Sequence, residues 1–126
     1  MKTEKFSVRK RLLSFGHAFN GLKVMLKEEH NARIHCVAAA LAIFLGWGLD
    51  ISPMEWVVLV MVIGAVFAAE LFNSALENLA DHLSPERSEQ IKRVKDLAAA
   101  AVLVCAFSSV VIAILIFLPK VLQLFR

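Results

Sequence analysis

An uncharged stretch of fourteen residues, 56–69, leads directly into a segment with polar side chains at Glu70, Asn73, Glu77 and Asp81. An α-helix turns by about 100° per residue, so offsets of 7 and 11 return to within roughly 20° of the first position, and an offset of 3 lies about 60° away. The four side chains are therefore predicted to form one polar ridge. A carboxylate at membrane depth is costly unless it faces protein or water, so the ridge indicates a functional site.

Two further charged pairs flank apolar segments, Glu28-Glu29 before the first and Lys95-Asp96 before the last. Carboxylates from neighbouring helices suit Mg²⁺, which takes oxygen ligands, keeps several waters and bridges substrate phosphates. A lysine at the same depth supplies a point charge for a transferring phosphoryl group. A remaining carboxylate can accept a proton from a hydroxyl nucleophile. These residue types together suit phosphoryl transfer to an alcohol.

The rest of the chain indicates what positions these groups. Of 126 residues 59% are hydrophobic, and the mean hydropathy is +0.68, whereas soluble domains contain about 45–50% apolar residues. Three segments, 34–49, 56–79 and 97–118, approach the roughly 20 residues that a transmembrane helix needs. We therefore predict an all-α membrane protein that forms a single domain over residues 1–126. A water-soluble helical bundle is the alternative, and the net charge of +3 does not favour nucleic acid as a partner.

Lysine and arginine are distributed unevenly among the loops. Eight precede the first span, none lies between the first and second, four lie between the second and third, and two follow the third. By the positive-inside rule this multi-pass protein has a cytoplasmic N-terminus, which places the polar ridge in the cytoplasmic half of the membrane.

The connecting segments give further predictions. Residues 8–27 alternate apolar and basic positions at helical spacing, which indicates an amphipathic surface helix on the inner leaflet. Residues 50–53 end in proline and predict a tight external turn, and Ser84-Pro85 is predicted as the start of the helix that enters the third span. So small a protomer encloses little interior, so burying several polar groups predicts a homo-oligomer.

The order and spacing of the polar residues resemble the signature of the small bacterial integral-membrane lipid kinases, the prokaryotic diacylglycerol kinase and undecaprenol kinase family. The residues that carry the resemblance are Glu70, Asn73, Ser74, Glu77 and Asp81, then Lys95 and Asp96, with Gly16, Gly21, Glu29 and Arg33 before the first span. The resemblance implies ATP-dependent phosphorylation of a lipid alcohol, with Mg²⁺, at the bacterial cell membrane. It also implies a domain-swapped homotrimer whose sites form between protomers.

The resemblance gives each polar residue an expected role. Glu29 and Glu77 would bind the metal that bridges the ATP phosphates. Lys95 would contact the γ-phosphate, and Glu70 would be the general base toward the lipid hydroxyl.

Four further residues have less specific expected roles. Asn73 would orient phosphate or the base, and Asp96 would hold Lys95 or the nucleotide. His17 occupies a position near the adenine in the family. Asp81 either caps its helix or lies near the nucleotide.

The acceptor lipid is predicted from two runs of sequence. The residues from Glu29 to His35 resemble the Gram-positive branch, which phosphorylates undecaprenol, whereas the diacylglycerol kinases tend to carry an acid at the position of His35. The run from Ile116 to Lys120 resembles the same branch. We expect undecaprenol kinase activity that yields undecaprenyl phosphate, with diacylglycerol kinase as the alternative. His35 either helps to select the lipid or is a buried, satisfied histidine.

Several other polar residues have open or structural interpretations. Glu28 is expected to be a solvated interfacial acid, because adjacent residues cannot share a helix face. Arg33 either anchors the first span or approaches phosphate. Ser108 and Ser109 are expected to bond to backbone or to pack between helices.

Two functions from other classes compete with the kinase. A small ion or proton channel would explain Glu70 and Glu77 as pore-lining acids. It would not explain the clustering of Glu29, Lys95 and Asp96 at one side, because a pore needs polar positions through its full depth. A structural membrane subunit would leave the acids without a purpose.

Overall fold

A computed structural model of the chain describes residues 3–83, 86 and 88–126, and these form four α-helices in sequence. The helices are α1 (Val8–Glu28), α2 (His30–Gly48), α3 (Pro53–Leu83) and α4 (Glu89–Leu124). In the described part of the chain, α2, α3 and α4 are the helices long and apolar enough to cross a membrane. The predicted all-α chain with three candidate spans is confirmed, and a helix precedes the first span as expected, while the location of that helix on the membrane surface stays a prediction.

The observed helices are longer than the predicted apolar segments. Helix α3 extends to Leu83, and α4 continues to Leu124 through Pro119, because charged and polar residues prolong each helix beyond its apolar stretch. Ser84-Pro85, which we predicted as the start of the third span, lies outside the described residues. The described helix begins at Glu89, with the Ser88 side chain accepting a hydrogen bond from the Ile91 N–H at 3.2 Å.

Helices α1 and α2 are joined by a single residue, Glu29, whose backbone is extended. Arg33, in the first turn of α2, reaches back to the end of α1. Its guanidinium donates to the carbonyl oxygens of Leu26 and Lys27, at 2.8 Å each. These carbonyls have no partner within their own helix, and a cation is favourable at a helix C-terminus. Arg33 therefore fixes the angle of the joint.

The turn between α2 and α3 is built from local hydrogen bonds. Asp50 adopts a left-handed conformation with φ of 52°, while the Ile51 N–H donates to the Gly46 carbonyl at 3.1 Å. This is the pattern of a Schellman motif. Ser52 and Glu55 then form a reciprocal capping box at 3.0 and 3.2 Å, which satisfies donors that the first turn of a helix leaves free. The predicted tight turn is confirmed.

Helices α3 and α4 pack against each other as an antiparallel hairpin, which makes most of the contacts between helices. At one end, which we call the capped end (residues 46–59 and 112–120), four buried residues form an apolar cluster: Ile51, Leu59, Ile116 and Phe117. Lys120 closes this end through an ion pair with Glu55 at 3.3 Å. Many large apolar side chains elsewhere on the helices are exposed, as expected of surfaces that face lipid.

The serine hydroxyls of the third span donate hydrogen bonds to backbone carbonyls of their own helix. Ser108 Oγ donates to the Val104 carbonyl at 2.8 Å, and Ser109 Oγ donates to the Ala106 carbonyl at 2.6 Å. The expectation that they bond to backbone is confirmed.

Candidate functional site

The predicted ridge lies on the last four turns of α3, at the opposite end of the hairpin from the capped end. We call this region the polar end (residues 28–35, 70–81 and 92–96). Helix α3 is unbroken through the ridge, so the side chains follow the helical spacing expected from the sequence. Burial falls along it: Glu70 is 1% exposed, Asn73 and Glu77 are partly buried, and Asp81 is exposed. The ridge therefore runs from the interior of the bundle to its surface.

Glu70 faces His35 of α2. The Nε2 atom of His35 lies 3.2 Å from Oε1 of Glu70. This distance suits an ion pair when the imidazole is protonated, and among the described residues the buried Oε1 atom has no hydrogen-bond partner. The charge of Glu29 also acts on Glu70. The most deeply buried acid thus has one basic group beside it and a second acid nearby.

Two neighbours of Glu70 on α3 also have buried polar atoms without partners. Asn73 Oδ1 and Ser74 Oγ are buried without hydrogen-bond partners. Buried polar atoms in folded proteins are nearly always satisfied. Unpartnered groups on consecutive turns of α3 therefore mark a surface that a ligand or another chain completes.

Lys95 lies at the start of α4 and joins the two outer acids of the ridge. Its ammonium is 2.6 Å from Asp81 Oδ1 and 3.7 Å from Glu77 Oε2. Asp96 turns elsewhere and pairs with Lys92 at 2.9 Å. Asp81 is thus the acid that holds Lys95. From the sequence we expected Asp96 to hold either Lys95 or the nucleotide, and its role toward the nucleotide stays a prediction.

The joint between α1 and α2 lies against the same part of α3. Asn78 donates to Glu28 Oε2 at 3.2 Å and to the Ser74 carbonyl at 2.8 Å. Glu28 is exposed, as expected, but it has a partner on α3. Arg33 donates its hydrogen bonds to the carbonyl oxygens at the end of α1, so it stabilises the joint that contains Glu29.

An apolar cleft of about 140 Å³ leads from the middle of the bundle to His35. We call it the apolar cleft. Small residues of α2 form one wall, larger apolar residues of α3 form the floor, and α4 forms the other wall. The lining includes Ala38, Ala42, Val66, Phe67 and Ala113. A chain of methylene or isoprene units lying there would bring its end beside the pair of His35 and Glu70.

The predicted metal ligands do not form a closed cage. Across residues 3–83, 86 and 88–126, no three His, Cys, Asp or Glu side chains come together as a metal site. Mg²⁺ bound to a nucleotide commonly takes only one or two protein carboxylates and fills its shell with phosphates and water. The acids at Glu29 and Glu77 suit that kind of site, because both are oxygen donors at the polar end.

Sequence reasoning missed two contacts. Asn78 was not singled out, although it lies one residue after Glu77 and ties α3 to the joint. The pairing of His35 with Glu70 joins residues 35 positions apart and has no local sequence signal. His17, predicted near the adenine, is exposed on α1.

Comparison with known proteins bears on the same residues. The sequence profile of the prokaryotic diacylglycerol kinase family matches residues 16–117. The undecaprenol kinase of Bacillus subtilis (strain 168) is 37% identical over 107 residues, which cover 85% of this chain and 87% of that protein. The diacylglycerol kinase of Escherichia coli (strain K12) is 31% identical over 96 residues, or 76% of this chain and 79% of that one. The profile match contains every residue of the polar end.

Proposed function

Because the chain belongs to the prokaryotic diacylglycerol kinase family and is therefore a membrane lipid kinase, we propose that its acceptor is undecaprenol, which it converts to undecaprenyl phosphate with ATP as donor. The greater identity with the Bacillus subtilis undecaprenol kinase, 37% against 31% for the Escherichia coli diacylglycerol kinase, supports this acceptor. Membership of a lipid kinase family removes the channel and the structural subunit as interpretations.

One observation supports a lipid alcohol above all, namely that the apolar cleft is lined by His35, whose ring lies 3.2 Å from the buried Glu70 carboxylate. In our proposal the polyprenyl chain lies in the apolar cleft and its hydroxyl reaches Glu70. The hydroxyl O–H bond breaks and the proton passes to the Glu70 carboxylate. The freed oxygen bonds to the γ-phosphorus of ATP while the bond between that phosphorus and the ADP oxygen breaks.

The other predicted site residues bind and align the reactants in this scheme. Lys95 exchanges its contact with Asp81 for a γ-phosphate oxygen, and Asn73 uses its unpartnered amide oxygen to orient the reacting groups. Glu29 and Glu77 would hold Mg²⁺, which would neutralise phosphate charge. His17 and Asp96 lie toward the nucleotide. Catalysis then depends mainly on alignment and electrostatic stabilisation.

The assembly and orientation follow from the same features. We propose a homotrimer with sites between protomers, because Glu70, Asn73 and Ser74 carry buried atoms without partners in one chain. The distribution of lysine and arginine supports a cytoplasmic N-terminus in the cell membrane, with the polar end at the cytoplasmic face.

The test is phosphate transfer from radiolabelled ATP by purified protein in mixed micelles with Mg²⁺, offering undecaprenol and diacylglycerol in parallel. We expect the polyprenol to be preferred in kcat/KM. Preference for diacylglycerol would overturn the acceptor and keep the lipid kinase. Transfer to neither lipid would contradict the proposed reaction.

A further inference from the structure

The carboxylate of Glu70 lacks the partners that a buried acid normally has. It is 1% exposed, and Oε1 accepts no hydrogen bond. Burying a charge is costly unless it is paired. In the described part of the chain, the charged groups that act on Glu70 are His35 and Glu29. Since Glu29 carries the same sign of charge, His35 is the group that can compensate Glu70.

His35 also occupies a particular place in the apolar cleft. Two lining residues carry polar side chains, His35 and Ser109. The Ser109 hydroxyl already donates to the Ala106 carbonyl at 2.6 Å, so it is engaged with its own helix. The imidazole lines the cleft, remains 20% exposed and lies 3.2 Å from Glu70 Oε1. It therefore meets both the carboxylate and the space where the alcohol would lie.

We propose that His35 is a positioning residue for the general base. Its ring holds the Glu70 carboxylate at the mouth of the apolar cleft, so that one carboxylate oxygen faces the ring and the other faces the acceptor hydroxyl. The proton of the hydroxyl goes to Glu70, and His35 neither accepts it nor touches the phosphate. This inference rests on the proposed lipid alcohol kinase activity. It gives a role to His35, which the proposed reaction does not otherwise use.

Three variants test the proposal on the full-length protein in mixed micelles. His35→Leu removes the ring nitrogen, His35→Gln keeps an N–H donor of similar reach, and His30→Gln changes an exposed histidine at the start of the same helix. Misplacing a catalytic group by about 1 Å can cost about 10²-fold in rate. We expect His35→Leu to lose about that factor in kcat with an unchanged KM for ATP. His35→Gln should recover only part of the loss, because its amide can reach the carboxylate but cannot compensate the charge, and His30→Gln should match the wild type.

A second measurement does not depend on activity. With ¹⁵N-labelled histidine, replacing Glu70 by Gln should shift the ring-nitrogen resonances of His35 and leave those of His30 unchanged. An unchanged kcat in His35→Leu, a defect confined to the KM for the alcohol, or an unshifted His35 resonance would each overturn the proposal. If the wild type phosphorylated neither lipid, the proposed function would fail, and the resonances would still decide whether His35 and Glu70 are paired.

Discussion

The two ends of the hairpin formed by α3 and α4 use the same kind of contact in opposite surroundings. At the capped end, Lys120 pairs with Glu55 at 3.3 Å beside a buried apolar cluster. At the polar end, Lys95 pairs with Asp81 at 2.6 Å beside buried oxygen atoms that have no partner. Lys120 thus lies where the buried side chains pack against each other, and Lys95 lies where buried polar atoms lack hydrogen-bond partners.

This difference suggests that, in the hairpin of α3 and α4, one end mainly stabilises the fold and the other end carries the proposed site. Apolar burial and local capping stabilise the capped end without any further component. The polar end keeps acids and amides desolvated, which is unfavourable for folding and useful for catalysis, since preorganised polar groups act strongly in a dry site. Substitutions at the capped end should therefore change the stability of the protein, and substitutions of the ridge acids at the polar end should change its activity.

The largest effect should separate two similar glutamates, one from each end. Glu77 and Glu55 each lie within 4 Å of a lysine, with side chains 36% and 28% exposed. We expect Glu77→Gln to reduce phosphate transfer by at least about 10³-fold, because it removes a proposed metal ligand where charge develops on phosphate, while the oligomer stays assembled. Glu55→Gln should keep kcat and lower the unfolding midpoint slightly. Transfer assays with size-exclusion chromatography measure both, and loss of assembly in Glu77→Gln would break the comparison.

The next effect concerns Glu70, where activity and stability should move in opposite directions. Glu70→Gln should lower kcat by about 10²–10³-fold, within the range for a general base, with little change in the KM for ATP. Its thermal unfolding midpoint in detergent should be equal or higher, because a neutral amide is less costly to bury than a carboxylate. A variant that loses ATP affinity instead of turnover would show that Glu70 is a binding group.

A smaller effect should appear at the capped end and leave activity intact. A Cβ atom at Gly46 would lie 2.7 Å from the Trp56 ring, whereas one at Gly48 would meet nothing within 4 Å. Overpacking of this kind costs about 1–3 kcal/mol, so Gly46→Ala should lower the unfolding midpoint and Gly48→Ala should not. Both should keep the wild-type kcat. Reduced turnover in Gly46→Ala would show that the two ends are coupled.

The smallest effect compares the N-caps of α3 and α4. The Ser52 hydroxyl accepts one hydrogen bond, from the Glu55 N–H, and the Ser52 N–H donates another to Glu55 Oε1, while the Ser88 hydroxyl accepts one, from Ile91. Loss of an N-cap costs about 0.5–2 kcal/mol. The backbone bond from Ser52 to Glu55 survives in Ser52→Ala, so we expect Ser52→Ala and Ser88→Ala to lower the free energy of unfolding by similar amounts in urea or thermal unfolding. A clearly larger loss in Ser52→Ala would show that the two bonds of the capping box depend on each other.

The sequence predicted the parts of this structure that depend on local patterns. Apolar runs located the three spans, and the proline at residue 53 located the turn before α3. The capping box at Ser52 was readable as Ser-x-x-Glu, although we did not use it. The contacts of Lys95 with Asp81 and of His35 with Glu70 depend on how the helices pack against each other. The spacing of apolar and polar residues along one helix does not predict such contacts. Asp96, adjacent to Lys95 in sequence, pairs with Lys92, because neighbouring residues on a helix point in different directions.

The single residue between α1 and α2 has a mechanical consequence. Helix α1 has 21 residues at a rise of 1.5 Å each, so it is a rigid rod about 30 Å long that is hinged at Glu29. Arg33 stiffens this hinge by donating hydrogen bonds to the last carbonyl oxygens of α1. A tilt of α1 against α2 would therefore displace the Glu29 carboxylate, which lies at the polar end of the hairpin.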